Sequence, residues 1–208
     1  ARGATRRRRA SHRDVVRDAY ARTALSAGRE GCCVTPLDAR VKIGYTSDEL
    51  ALAGGANLGV GCGAPHQFAE LQAGEAVCDL GCGAGVDVVL AALSVGERGV
   101  VVGVDMTPEM LREARARAAE ASERANADGR ECARAEFRLG ELERLPCRDG
   151  EFDVVMSNCV INLCEDKRAA LAEAFRALKP GGRLCVADVV SRGNALPEAL
   201  KTNEALAC

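Results

Sequence analysis

A cysteine follows the end of a predicted buried strand in the stretch SNCVINL, residues 157–163. The apolar run at residues 152–156 that precedes it is typical of a strand inside a parallel sheet. Ligands of open α/β sheets bind where strands end, so Cys159 stands at a position suited to chemistry. We therefore interpret it as a candidate functional thiol, although a single cysteine is more often a small buried hydrophobe.

Two glycine-rich loops contain the pattern G-x-G-x-G, at residues 59–63 and 81–85. The first loop has no predicted strand before it and no helix directly after it, so its pattern alone indicates a surface turn. The second loop follows the run VCDL and leads into a predicted helix, and Asp105 ends the next predicted strand. This context favours the second loop as the ligand-binding one, because glycines admit a ligand to the backbone and a carboxylate accepts hydrogen bonds from ribose hydroxyls.

The second loop differs from a dinucleotide-binding turn, which would have a glycine at Val86. An acid, Asp79, also stands two residues before its first glycine, Gly81. This arrangement favours a ligand with a cationic centre and no pyrophosphate, such as S-adenosylmethionine. Glu141, after the third predicted strand, is placed to accept a hydrogen bond from the adenine.

The elements that would position these residues alternate between strand and helix. We predict strands at residues 75–80, 100–104, 135–139, 152–157 and 183–190, and helices at 14–26, 86–93, 107–128 and 166–178, with a short helix beginning at 46–49. This alternation predicts an α/β fold with a doubly wound, mostly parallel sheet. We divide the chain into a disordered basic arm at 1–13, a helical, glycine- and cysteine-rich segment at 14–72, and an S-adenosylmethionine-binding domain at 73–208.

Composition narrows the function classes. The net charge of −2 and the 3% of aromatic residues argue against a nucleic-acid partner. We also expect no membrane partner, because no apolar run is long enough to cross a bilayer. The Arg-rich start, ARGATRRRRASHR, favours a disordered tail over the remnant of an organelle transit segment. His12 and His66 are interpreted as surface residues.

The chain has 11 cysteines, an odd number, with no C-x-x-C pair. This pattern fits neither a disulfide framework nor a zinc ribbon and indicates free thiols in a reducing cytosol. We interpret five of the cysteines as packing residues: Cys78, Cys132, Cys147, Cys164 and Cys185.

Several motifs together resemble one family. GANLGVGCGAP, GVDMTPEM, FRLGELERLP and SNCVINL, in that order, make the chain similar to the arsenite methyltransferases, a branch of the class I S-adenosylmethionine-dependent methyltransferases. The resemblance implies a Rossmann-like fold, S-adenosylmethionine as cofactor, and trivalent arsenic, presented as a complex with glutathione or another thiol, as substrate. It also implies a thiol reductant of the glutathione or thioredoxin type and a role in cytoplasmic arsenic detoxification.

The same resemblance implies functions for individual residues. Its catalytic thiols are Cys159, Cys62, Cys208 and Cys33, with Cys32 as an alternative to Cys33. Its arsenic ligands are Cys62, Cys159 and Cys208, and its cofactor contacts are Asp79, Gly81, Gly83, Asp105, Met106, Glu141, Leu142 and Asn158. Cys82 stands where the family often has serine and is interpreted as a small loop residue.

The implied chemistry suits thiols. Trivalent arsenic is thiophilic, so thiolates hold it better than nitrogen or oxygen ligands. Its lone pair attacks the methyl group without a general base, and oxidation of two thiols to a disulfide returns two electrons to the pentavalent product.

Two rival functions fit parts of the sequence. A thiol-rich metalloid-binding protein would need the cysteines but not Asp79, Asp105 and Glu141. Another small-molecule methyltransferase would need those acids but not the thiols of GCG and SNCVINL. Sheets of this class also commonly continue past a fifth strand, so we expect this sheet to be truncated there and the chain to belong to a longer protein.

Overall fold

The computed structural model describes residues 11–26, 44–56, 58–193 and 202. Within these residues, five strands form one sheet: β1 (Ala76–Leu80), β2 (Val100–Asp105), β3 (Arg134–Leu139), β4 (Phe152–Asn158) and β5 (Leu178–Ala187). The strand order is β3-β2-β1-β4-β5, and each neighbouring pair is parallel. The predicted fold class, a doubly wound parallel sheet, is therefore confirmed.

The order of the strands places the functional crevice. The chain runs outward from β1 to β3, then crosses back to β4 on the other side of β1. The direction of winding thus reverses between β1 and β4, and ligands of such sheets bind at the carboxyl ends of the strands at this switch point. Both the loop after β1 and the SNCVINL segment after β4 lie there.

Helices α1 (His12–Leu25), α2 (Ser47–Ala53), α3 (Val86–Val95), α4 (Pro108–Ala127) and α5 (Lys167–Ala177) accompany the strands. Local capping explains several of their starts. Ser11 and Thr46 each form a capping box with an acid three residues later, and the Asp166 side chain accepts a hydrogen bond from the amide of Ala169. In the described part of the chain, no helix is long and apolar enough to cross a membrane.

Most element boundaries lie within one or two residues of the sequence prediction, but β5 ends at Ala187 instead of residue 190, and two elements start more than one residue early. Helix α1 begins at His12, before residue 14, because the Ser11 cap directly precedes it. Strand β5 begins at Leu178 instead of at residue 183, because Leu178 already pairs with Phe152. The pairing then shifts register, so that the turn-forming residues 179–182 bulge from the strand.

The apolar core lies on both faces of the sheet. One face packs against α3 and α4 through side chains that include Val77, Val101 and Met156. The other face packs against α5, whose small side chains Ala170, Ala174 and Ala177 are fully or almost fully buried. With few aromatic residues available, alanine-rich helices approach the sheet closely and aliphatic strand residues fill the interior.

Leu80 provides a test of this core. It ends β1 at 1% exposure, whereas Leu171 on α5 is 42% exposed. We expect Leu80→Ala to lower the free energy of unfolding by about 2–5 kcal/mol, because it removes buried methyl groups and leaves a cavity. Leu171→Ala should change it by less than about 0.5 kcal/mol. Urea unfolding measures both, and equal losses would contradict the placement of Leu80 in the core.

Candidate active site

The loop after β1 is shaped by glycines. Gly81, Gly83 and Gly85 have φ angles of 67°, 51° and 92°, in the left-handed region that glycine tolerates best. A Cβ on Gly81 would overlap the side chain of Val160, so the loop packs tightly against the segment after β4. The absence of side chains lets a ligand approach the backbone here.

Asp105 connects the glycine loop to the end of β2. One of its carboxylate oxygens accepts a hydrogen bond from the Gly83 amide at 3.0 Å and the other from the Thr107 amide at 2.8 Å. Burial raises the pKa of Asp105, and the amide hydrogen bonds oppose that rise. The carboxylate is thus held in a fixed direction and lines a cleft in the protein.

That cleft has a volume of about 720 Å³, including its open mouth. The predicted site residues that line it are Gly81, Gly83, Asp105, Met106, Leu142, Asn158 and Cys159. An adjoining space of about 430 Å³, also including its open mouth, is lined by Asp79, Asp87 and Tyr45, and both spaces share Gly81, Gly83 and Asn158. The structure therefore brings the predicted residues of β1, β2 and β4 together around two connected spaces.

Asp79 is the most deeply buried acid of the site, at 2% exposure. Burial raises its pKa well above the ordinary range, and the negative charges of Asp87 and Asp105 raise it further. A cationic ligand in the adjoining cavity would offset that cost. This electrostatic environment agrees with the cationic centre inferred from the sequence.

Glu141 is not among the residues that line the cleft, although its neighbours Leu142 and Glu143 are. Its carboxylate is bonded by Arg13 of α1 at 2.6 Å, and the same guanidinium lies 3.5 Å from Glu143 and 3.9 Å from Glu165. Arg13, Glu143 and Glu165 line the cleft. The contact of Glu141 with adenine stays a prediction. Sequence reasoning missed Arg13 because its arginine-rich surroundings indicated a disordered arm.

Cys62 and Cys159 meet beside the cleft. Their sulfur atoms are paired as a disulfide, and their Cα atoms are 5.5 Å apart, a separation typical of cysteines that can form such a bond. Cys159 has a φ of 60°, unusual for a residue with a side chain and often found at functional positions. The two thiols are therefore close enough either to bind one atom together or to oxidise together.

The remaining cysteines named in the sequence analysis differ in their location and burial. Cys32, Cys33 and Cys208 lie outside the described residues. Cys78 is buried as predicted, and Cys132, Cys147 and Cys185 are half-buried. Cys164, also half-buried, lines the cleft, a position that sequence reasoning missed. Burial, followed by the charge of Glu143, raises the pKa of Cys164 to about 12.

The side chain of Asn158 holds the Cys62 loop in place. Its oxygen accepts hydrogen bonds from the amides of Cys62 at 3.0 Å and Gly63 at 3.2 Å. Its nitrogen lies within hydrogen-bond distance of Tyr45 Oη at 2.9 Å, the Gly63 carbonyl at 2.8 Å and Asp87 at 2.9 Å. The first glycine loop is therefore docked on the sheet, and its interpretation as a surface turn is wrong.

His66 belongs to the same network, so its interpretation as a surface residue is wrong. Its side chain is 6% exposed, with Nε2 2.8 Å from Glu49 and Nδ1 3.3 Å from Asp87. The ring stacks on Tyr45, whose hydroxyl donates to Asp87 at 3.0 Å. His12 is also partly buried, with Nε2 3.1 Å from the carbonyl oxygen of Leu163. Neither packing arrangement had a local signal in the sequence.

Fold and site together define a doubly wound α/β protein with an acidic, glycine-lined cleft beside a pair of thiols. A family model described as a methyltransferase domain matches residues 71–208. The chain belongs to this methyltransferase domain family.

Individual relatives are more specific. The chain is 42% identical over 193 residues to an arsenite methyltransferase of Halobacterium salinarum, covering 86% of this chain and 47% of that protein. It is 44% identical over 151 residues to an arsenite methyltransferase of Aquipseudomonas alcaligenes, covering 70% of this chain and 41% of that protein. The chain thus spans about half the length of these curated relatives or less.

A solved structure is also similar. The crystal structure of an arsenic (III) S-adenosylmethionine methyltransferase from Chlamydomonas reinhardtii matches with a TM-score of 0.57 and 35% identity, covering 86% of this chain and 52% of that chain.

The burial of Asp79 predicts a stability effect. Because its folded-state pKa lies above the ordinary value of 3.8, the ionised form costs stability as pH rises above that value. We expect the neutral variant Asp79→Asn to raise the Tm of the ligand-free protein near pH 7. An increase of a few degrees is expected, since about 1 kcal/mol moves the midpoint of a domain of this size by roughly 2–4 °C. Asp149→Asn, at a side chain that is 84% exposed, should leave it unchanged in thermal scans. A lower Tm for Asp79→Asn would refute this account.

His66 predicts a pH dependence. Burial lowers its pKa, but the hydrogen bonds and charges of Asp87 and Glu49 outweigh burial and leave it above 6.5. The stability that the charged ring contributes is complete below the ordinary pKa and is lost as pH rises through the raised pKa. We therefore expect the free energy of unfolding of the wild type to fall as pH rises above 6.5 and through the raised pKa of His66.

His66→Gln should remove this part of the pH dependence, and His12→Gln should keep it. Urea unfolding at a series of pH values measures the slopes. Parallel slopes for the wild type and His66→Gln would show that His66 does not carry the effect.

Proposed function

We propose that this chain forms the cofactor- and arsenic-binding part of an arsenite methyltransferase, which transfers a methyl group from S-adenosylmethionine to thiol-bound trivalent arsenic. The observation that carries the proposal is the meeting of Cys62 and Cys159 beside the cleft that Asp105 and the glycine loop line. The names of the similar proteins support the same activity.

The residues around the cleft fit S-adenosylmethionine. Asp105 is fixed by two amides and retains lone pairs for both ribose hydroxyls. Met106 and Leu142 supply apolar surface for the adenine, and the buried carboxylate of Asp79 would stabilise the ammonium and sulfonium charges. When bound, S-adenosylmethionine supplies an electrophilic methyl group.

The thiols hold the substrate. Two thiolates bind trivalent arsenic strongly because both partners are soft, and they fix it at the end of β4. Asn158 keeps Cys62 in place opposite Cys159, so the substrate position is preorganised. Orientation of two reactants in this way can lower a barrier by about 7–11 kcal/mol in favourable cases.

The same pair of thiols is suited to the reduction step. Methyl transfer leaves pentavalent arsenic, and two cysteine thiols that become a disulfide supply the two electrons that return it to the trivalent state. The Cα separation of 5.5 Å between Cys62 and Cys159 permits that bond. A thiol reductant such as glutathione or a thioredoxin then restores the dithiol, in keeping with a reducing compartment such as the cytosol.

The two rival functions explain less of the site. A metalloid-binding protein without catalysis leaves Asp79 buried at a cost with no ligand to offset it. A methyltransferase for carbon, oxygen or nitrogen leaves the meeting of Cys62 and Cys159 without a function. Arsenic methylation uses both the acidic cleft and the thiol pair.

The direct test is an assay with S-adenosylmethionine, arsenite and glutathione, in which methylated arsenicals are separated by chromatography and counted by mass spectrometry. We expect Cys159→Ser to abolish product while the affinity for S-adenosylmethionine stays nearly intact, because oxygen poorly replaces a soft thiolate. Cys132→Ser, at a half-buried cysteine outside the cleft, is the matched control and should retain activity.

Equilibrium dialysis with S-adenosylmethionine separates the rivals. Asp105→Ala should weaken binding by about 1–3 kcal/mol through loss of hydrogen bonds to a charged acceptor, and Asp79→Asn should weaken it as well. A wild type that ignores S-adenosylmethionine would favour metalloid binding alone. One that binds it but methylates no arsenical would favour another methyl acceptor.

A further inference from the structure

A carboxylate lies beside the two thiols. Asp188 directly follows β5, and the amide of Cys159 donates to the carbonyl oxygen of Ala187 at 2.8 Å, which fixes the two segments side by side. One Asp188 oxygen and the sulfur atoms of Cys62 and Cys159 all lie within 4.8 Å of one another. Once the disulfide is reduced, two sulfur donors and one oxygen donor therefore lie close enough to bind the same atom, and all three residues are half-buried.

The carboxylate is held in its direction by the SNCVINL motif. Its Oδ2 accepts a hydrogen bond from the amide of Asn162 at 3.1 Å. Its Oδ1 accepts from the side chain of Asn162 at 2.8 Å and from the amide of Val189 at 2.8 Å. Asn162, which had no function in the thiol pair or the cofactor site, therefore orients the Asp188 carboxylate.

Within the described residues, no lysine or arginine forms a salt bridge with the Asp188 side chain. By contrast, Glu141, Glu143 and Glu165 all lie within salt-bridge distance of Arg13. The hydrogen bonds of Asp188 come from neutral amides alone. A negative oxygen of this kind, next to two thiols, would interact favourably with an electron-poor atom bound between them.

We propose that Asp188 is a third donor of the substrate site, binding trivalent arsenic together with the thiolates of Cys62 and Cys159. This inference rests on the proposed function. From an arsenic tris-thiolate, the two cysteine thiols release two thiol molecules and the carboxylate releases one thiolate. Arsenic then carries two protein sulfurs and one carboxylate oxygen, and its oxidation state does not change.

The proposal makes a distinction between substrates. Inorganic arsenite has three exchangeable positions, so two thiolates leave one position for Asp188. Methylarsenite has only two, because its third position is occupied by carbon. Asp188 should therefore strengthen the binding of arsenite and contribute little to methylarsenite. Since oxygen is the weaker ligand, its position is also the one that a third thiolate, such as the Cys208 thiolate implied by the resemblance, would take over.

A purely structural role for Asp188 makes a different prediction. If the side chain only anchored Asn162, its loss would displace Cys159 and weaken both substrates alike. Asp188→Asn tests this, because its amide oxygen still accepts from the Asn162 side chain and the Val189 amide, while the negative charge and the bond from the Asn162 backbone amide are lost. Asp149→Asn, remote and exposed, is the matched control.

The experiment measures the binding of arsenite and of methylarsenite to the full chain with reduced thiols, by dialysis with arsenic counted by mass spectrometry. Every chain tested carries Cys208→Ser, so that no third thiolate competes with Asp188, and the chain with this change alone serves as the wild-type reference. For Asp188→Asn we expect arsenite affinity to fall by about 10-fold or more, the scale on which residues around a bound metal act, and methylarsenite affinity to fall by less than about 2-fold. Asp149→Asn should match the wild type for both substrates.

A second variant distinguishes loss of a ligand from misfolding. Asp188→Cys places a third sulfur at the same point and should bind arsenite at least as tightly as the wild type, because a thiolate replaces a weaker oxygen ligand. Equal losses for both substrates, or unchanged arsenite binding in Asp188→Asn, would overturn the proposal while the function stands. A wild type that binds neither arsenical would overturn the function and this proposal together.

Discussion

The side-chain amide of Asn158 is the contact on which the rest of the site depends. Asn158 is the last residue of β4, and its side chain extends to the first glycine loop. There its oxygen accepts hydrogen bonds from the amides of Cys62 and Gly63. Its nitrogen meets the buried pair of Tyr45 and Asp87. Because these groups are removed from water, each needs its partner, and a broken bond would leave a costly unpaired polar atom. The loop is therefore held firmly, with Cys62 opposite Cys159.

The topology of the sheet explains why a cofactor site and a thiol pair share one crevice. Strands β1 and β4 are neighbours on either side of the reversal in winding, so the loops that follow them meet. The loop after β1 carries the glycines that admit a ligand, and the segment after β4 carries Cys159. The cost of this arrangement is the crowding of Asp79, Asp87 and Asp105, which raises the pKa of Asp79. The ionised form of an acid crowded in this way lowers the stability of the fold unless a bound cation or a proton offsets its charge.

The secondary-structure elements could be predicted from the sequence because their signals are local. Apolar alternation and capping residues define the strands and most helix ends within a few residues. The bulge in β5 could not be predicted, because it arises where Leu178 pairs with Phe152 on another strand. Arg13 was assigned to a disordered arm for a similar reason: its three acidic neighbours lie more than a hundred residues away in sequence.

The sequence by itself determined the α/β alternation, the glycine loop with Asp79 and Asp105, and the thiols of GCG and SNCVINL. Only the tertiary structure decided that Cys62 and Cys159, separated by 97 residues, would meet. It also decided that His66 would be buried against Asp87 and that Asp188 would lie beside the thiols. The physical reason is that local patterns encode burial and backbone conformation, whereas these contacts depend on strand register and on hydrogen bonds between distant side chains, which no local pattern records.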